Sequence, residues 1–334
     1  MRLISIFMIL LMHCCGTVLN DLDGINRIAV IAINSIGNMG VTCFMLISGY
    51  FGVRTNYKKA YKIWITTMCY SVISTILQMA VNRSFSVKGI LKACIPISTN
   101  RYWYISCYIL LLIFADYINQ ISKKLEKTEF RKLLLSLIII FSVIPTAVQS
   151  NIMGDSGKGP INMFLIYLIG RYISKYTEEV RKREWKYIFI IVIVFEFILN
   201  CAVSFLRKGI YVPFARDYSI FIITSSVAVF MIFLNMRAFE CKILNSLAQN
   251  VIAIYLLEGV IRNILVDKVR LNKFVLGEKF IVIIIWVALV LMVLCTIIEI
   301  VRRRIFGQLE DKLWQAVSKI NYARIIERIR NKNG

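Results

Sequence analysis

The only histidine in the chain, His13, stands eleven positions after Arg2 in MRLISIFMILLMHCC. In an α-helix eleven residues turn through about 1100°, three turns and roughly 20° more, so both side chains lie on one face about 16 Å apart along the axis. That pairing suits a particular chemistry. A guanidinium can hold phosphate, and a neutral imidazole can take a proton from a hydroxyl or be acylated itself. The ten residues between them, LISIFMILLM, are apolar apart from one serine. The spacing therefore predicts the arginine at a membrane edge and the histidine well inside. A titratable group at that depth is expensive and is a candidate functional group, and burial favours its neutral form. The plainer alternative is a histidine hydrogen-bonded between two packed helices.

The elements that must position these residues are helices. Hydrophobic residues make up 58% of the chain and mean hydropathy is +0.70, well above a soluble average. Hydrophobic segments fall at about 3–19, 29–52, 61–81, 102–121, 132–149, 161–175, 187–206, 218–236, 247–266 and 280–301. Together they predict an all-α, polytopic membrane helical bundle of about ten transmembrane helices. The clearest, Phe280 to Val301, carries only Glu299 as a charge. The sixth and ninth are the weakest, being short or polar. No stretch alternates with period two, which excludes a β-barrel. The first segment has one basic residue before it and no small-residue cleavage site after it, so it reads as a retained helix.

The formal charge of +22 follows from 41 Lys and Arg against 19 Asp and Glu. With the N-terminus inside, about two thirds of those 41 cations fall on inner segments. That asymmetry predicts a plasma-membrane protein with both termini cytoplasmic. It also removes the need for a nucleic-acid partner to explain the charge. The chain reads as an integral membrane domain over 1–301 and a cytoplasmic tail over 302–334. In the tail, Leu309, Leu313, Val317, Ile320, Ile325 and Ile329 recur at near-helical spacing among basic residues. A basic amphipathic helix on anionic lipid fits that pattern, with a partner-binding helix as the alternative.

Other candidates are weaker. The nine cysteines include no C-x-x-C pair and meet a single histidine, so a zinc or iron–sulfur site is not expected. Gly154-Asp155-Ser156-Gly157 is similar to a serine-protease nucleophile segment, but barrel and histidine partner are both lacking. Gly157-Lys158-Gly159 lacks the spacing of a phosphate-binding loop. Both read as parts of an outer loop. Asp116, Glu196 and Glu299 lie in or near predicted span ends, where headgroup solvation accounts for them. Arg101-Tyr102-Trp103-Tyr104 opens the fourth segment, and an interfacial aromatic belt explains it by position alone.

The order of these features resembles the acyltransferase 3 family of integral membrane acyltransferases. In that family an Arg, ten residues and a His occupy the first helix, as Arg2 and His13 do here. The second helix ends in a Phe-containing run before Ser-Gly-Tyr and a basic residue, matched by Cys43 to Phe51 (with Ser48-Gly49-Tyr50) and Arg54. Trp103-Tyr104-Ile105 and Ile254-Tyr255-Leu256 match two later motifs. The late motif often runs on to a histidine; this chain has Leu257-Glu258.

The resemblance implies transfer of an acetyl or other short acyl group from cytoplasmic acyl-CoA. The acceptor is a hydroxyl of a bacterial cell-surface polysaccharide or its lipid-linked precursor, with wall peptidoglycan also possible. Acetyl-CoA is then a donor substrate and no bound cofactor or metal is implied. On this reading Arg2 and Arg54 bind CoA phosphates, His13 is the base or nucleophile, and Glu258 orients it or binds a sugar hydroxyl. Ser48, Tyr50, Arg101, Trp103 and Tyr104 are substrate-binding candidates, with Arg101 and Tyr104 placed toward the outer acceptor. The competing class is a transporter or flippase of lipid-linked saccharides, for which paired broken helices would be expected. A glycan polymerase would need a larger outer loop.

Overall fold

The computed structural model describes residues 1–318, apart from 20–21, 152, 182–183 and 238–239. Helix is the only regular secondary structure among them. The helices are α1 (Arg2–Cys15), α2 (Gly24–Gly37), α3 (Met39–Phe51), α4 (Tyr57–Val81), α5 (Val87–Cys94), α6 (Trp103–Lys124), α7 (Lys127–Ile138) and α8 (Ile144–Val148). After them come α9 (Pro160–Lys175), α10 (Thr177–Arg181), α11 (Trp185–Leu206), α12 (Ile220–Asn235), α13 (Lys242–Ala248), α14 (Val251–Val269) and α15 (Phe280–Ser318). A π-helical turn at Ile139–Val143 joins α7 to α8.

Helix forms in each of the ten hydrophobic segments, but the expected count of ten spans is not reached by length and composition. Among the described residues six helical stretches are long and apolar enough to cross a membrane. A seventh counts if α13 and α14, bent by 62°, form one span. Helices α1 and α12 are apolar but only 14 and 16 residues long, about 21 and 24 Å against roughly 30 Å of hydrocarbon. The physical reason is visible in α1, which is packed on α2, α3, α14 and α15 instead of facing lipid. Ile6, Ile9, Leu10, Cys14 and Cys15 on it are buried. A helix so enclosed can stop short, because its ends meet protein and cavity rather than lipid.

Small residues set its position. A Cβ on Gly40 of α3 would stand 2.6 Å from the Ser5 carbonyl of α1. Only glycine lets the two backbones approach so closely. The same device joins α3 to α9, where a Cβ on Gly170 would stand 2.7 Å from the Leu46 carbonyl. Gly49 of the Ser48-Gly49-Tyr50 motif packs against Gly170 here, which gives that glycine a packing role.

Two expectations about buried acids are corrected. Glu196 and Glu299 are not solvated at span ends; they are 0% and 2% exposed. Glu299 accepts from Arg302 Nε at 2.8 Å, Arg303 Nε at 2.6 Å and the Tyr70 hydroxyl. Glu196 accepts from Asn200 Nδ2 at 3.4 Å. The Glu299 carboxylate is met by protein partners, as burial requires, whereas Glu196 Oε2 is buried without a hydrogen-bond partner.

Helix α15 runs without a break to Ser318, through the expected tail boundary at 302. Its extension rests against α4 through Lys62–Asp311 (2.7 Å) and the Tyr61–Trp314 ring pair (5.2 Å). Leu309 and Leu313 are exposed along it. The side chains of Val317, Ile320, Ile325 and Ile329 lie outside the described residues.

Candidate functional site

Two neighbouring helices, α1 and α14, carry the titratable residues that meet at the centre of the site. His13 lies in the last turn of α1, which ends at Cys15. Its Nδ1 is 2.9 Å from Glu258 Oε1 on α14. A carboxylate only accepts, so Nδ1 carries a proton, and in the neutral imidazole the lone pair then stands on Nε2. The other Glu258 oxygen accepts from Arg262 at 3.1 Å, one turn further along α14. The three side chains form a line: Arg262 holds the carboxylate, and the carboxylate fixes the tautomer and orientation of the imidazole.

His13 and Arg262 of this line face one cavity, and a second cavity is lined by residues about one turn away on both helices. The first has a volume of about 870 Å³ and is lined by His13, Arg262, Asn34, Asn38, Asn151 and Asp217, among others. The imidazole is 31% exposed and the Glu258 side chain 10%. The imidazole is thus open to a cavity and not enclosed by apolar packing. Early termination of α1 leaves it on the wall of a polar hollow.

The second cavity, about 310 Å³, is narrower and aromatic. Arg2, Lys59, Ser48, Phe44, Tyr104 and Tyr255 line it. Tyr104 stacks on Tyr108 at 6.1 Å and meets Tyr255 edge-on at 6.0 Å. Lys59 Nζ donates to the Tyr108 hydroxyl at 3.1 Å. Both central helices pass from one cavity to the other. On α1 they are three positions apart, Ile9 lining the second and Met12 and His13 the first, about 4.5 Å of rise. On α14 the order is Tyr255, Glu258, Arg262.

The residues singled out in the sequence divide accordingly. His13 and Glu258 are joined, and Arg2, Ser48 and Tyr104 share one cavity. Tyr50 lines an adjoining hollow with Arg2 and packs on Phe230 at 5.3 Å. Arg54 is exposed in the turn between α3 and α4 and lines neither cavity; Lys59 supplies the second cation at the Arg2 end. Arg101 donates to Thr75 Oγ1 at 2.5 Å, and Trp103 packs edge-on to Tyr104. Neither lines either cavity. Tyr104 stands on the Arg2 side of the site, not on the expected outer acceptor side. Ile97 and Tyr102, in the loop before α6, already pack against the core, so the first turn of α6 begins inside the bundle.

Arg262 and Lys59 escaped the sequence reading. Glu258-x-x-x-Arg262 is an i,i+4 acid–base pair inside an apolar segment, and that spacing was the available signal. Among the described residues no group of three His, Cys, Asp or Glu is placed to hold a metal.

The family model for an acyltransferase domain, Acyl_transf_3, matches residues 1–300. The chain belongs to the acyltransferase 3 family. Membership makes it a membrane acyltransferase, and the bundle of apolar helices agrees. No curated protein and no solved structure matches the chain. In this acyltransferase the matched region takes in both cavities and the His13–Glu258–Arg262 line.

Proposed function

We propose that this acyltransferase moves an acetyl or other short acyl group from acyl-CoA to a saccharide hydroxyl across the His13–Glu258 line. The observation that carries the reading is the bond from His13 Nδ1 to Glu258 beside two cavities of opposite character. Arg2 and Lys59 would pair with phosphates of the donor. The pantetheine arm would run between Phe44, Tyr104 and Tyr255, bringing the thioester to His13. The acceptor would enter the wide polar cavity, whose amide-rich wall suits sugar hydroxyls.

The acceptor hydroxyl gives its proton to His13 Nε2 as its oxygen bonds to the thioester carbon. Glu258 stabilises the imidazolium that results, and Arg262 keeps Glu258 aimed. The carbon–sulfur bond then breaks, and the departing thiolate takes the proton from Nε2. The products are an ester and free CoA thiol. The same nitrogen could instead accept the acyl group first and pass it on. The protein is read as lying in a bacterial cytoplasmic membrane with the Arg2 end cytoplasmic.

The test is incubation of the protein in nanodiscs with radiolabelled acetyl-CoA and host envelope glycan. Label in the glycan with wild type, and its loss in His13→Ala and Glu258→Ala, is the expected result. Equal labelling by His13→Ala would remove the histidine from the chemistry. Absence of both labelling and acetyl-CoA binding would favour saccharide transport.

A further inference from the structure

The wide cavity carries a charge that neither topology nor general acyl transfer explains. Lys158, Arg207, Arg216 and Arg262 all line it, and Asp217 is the carboxylate residue among its lining. Arg262 is held by Glu258. Among the described residues Lys158, Arg207 and Arg216 form no ion pair, and all three are exposed at the hollow. They come from three separate places: the loop before α9, the end of α11 and the segment before α12. Loops on the face opposite Arg2 are those that the positive-inside tendency leaves poor in Lys and Arg. Three cations without an ion pair converging there, Arg207 lying over the Tyr211 ring at 5.3 Å, are a feature of the cavity rather than of the membrane. Burial raises the Asp217 carboxyl to about 6, with Lys158 and Arg216 pulling the other way, so Asp217 offsets little of their charge at mildly acid pH.

Resting on the reading of this hollow as the acceptor side, we propose that the acceptor is an anionic saccharide whose oxyanion is held by Lys158, Arg207 and Arg216. The oxyanion is a carboxylate or phosphate on the sugar itself, or the diphosphate of a lipid carrier. Guanidinium groups bind both by paired N–H donors. The hydroxyl to be acylated is then fixed relative to His13 by a charge-assisted anchor on the same molecule.

Binding is measured on the full chain in phosphatidylcholine nanodiscs, without acyl-CoA, using tetragalacturonate, farnesyl diphosphate and the uncharged maltotetraose. At least one anionic probe is expected to bind about tenfold or more tighter than maltotetraose, with affinity falling as salt rises. Arg216→Gln, Arg207→Gln and Lys158→Gln should each weaken that probe about tenfold. Arg216→Lys should recover part of the loss, and Lys268→Gln, on α14 outside the cavity, should change nothing. Binding of tetragalacturonate alone assigns the oxyanion to the sugar; binding of farnesyl diphosphate alone assigns it to the carrier.

Equal binding of maltotetraose overturns the proposal, as do unchanged affinities in all three Gln variants or no binding of either anion. Hydrolysis of acetyl-CoA by water needs no acceptor and is followed in the same preparation. Intact hydrolysis without anion binding sinks this inference alone, whereas absent hydrolysis and absent acetyl-CoA binding count against the acyltransferase reading itself.

Discussion

The two cavities differ in every property that matters for a ligand. The Arg2 cavity is about 310 Å³, walled by Phe44, Tyr104, Tyr108 and Tyr255, with cations only at one end. The His13 cavity is about 870 Å³, and amides, hydroxyls and dispersed cations share its wall with apolar side chains such as Ile210, Val212 and Phe214. An apolar neck with a charged mouth suits a thin arm attached to phosphates; a broad polar hollow suits a hydrated sugar. On the proposed function, donor and acceptor meet one imidazole from these two cavities. Helix α1 ends where the His13 cavity begins, with His13, Gly16 and Thr17 on its wall.

The comparison breaks most easily at its meeting point. His13→Ala should lower kcat about 10²–10⁴-fold with acyl-CoA affinity retained, measured by release of CoA thiol. A loss of acyl-CoA binding of the same size would show that His13 belongs to the donor site alone. Arg2→Gln should raise KM for acyl-CoA about tenfold and leave KM for the acceptor unchanged; an effect on the acceptor instead would reverse the assignment of the cavities. Tyr104→Ala opens the aromatic neck. It should shift preference from acetyl-CoA toward octanoyl-CoA by about tenfold, the scale expected of apolar pocket changes, as read from the ratio of kcat/KM values.

The smallest effect concerns Asp217 in the segment before α12. Burial raises its folded-state carboxyl to about 6, above an unfolded value of about 4. The folded state thus holds the proton more tightly, so this group's contribution to stability grows as pH falls through about 6 and levels off below about 4. Asp217→Asn should melt a few degrees above wild type at pH 8, with the gap closing toward pH 4 in thermal denaturation. A gap that is constant with pH would show that the carboxyl does not titrate in this window.

The sequence carried the helical segments and the meeting of His13 with an acid, and physical reasons separate what was legible from what was not. Apolar runs located helices because a run of that kind has few other solutions in lipid. Run length alone could not say that α1 and α12 are enclosed by protein and stop short, since enclosure depends on neighbours distant in sequence. Glu258 was legible as a charge in an apolar segment. Arg262, one turn on, lies inside the same apolar segment, and only its i,i+4 spacing from Glu258 marks it as that acid's partner. Tyr104 was misplaced for a different reason. An aromatic at the start of a segment usually marks the interface, but the loop before α6 folds into the bundle. Arg54 satisfied a motif by position, whereas side-chain direction puts Lys59 in the cavity instead.

The central claim, that one imidazole joins substrates arriving from opposite faces, is tested most directly by vectorial transfer. The protein is reconstituted in one orientation in liposomes, with radiolabelled acetyl-CoA on one side and the saccharide acceptor enclosed on the other. The account predicts labelled acceptor only when acetyl-CoA is on the Arg2 side, and none with His13→Ala. Labelling that requires donor and acceptor on the same side would contradict it.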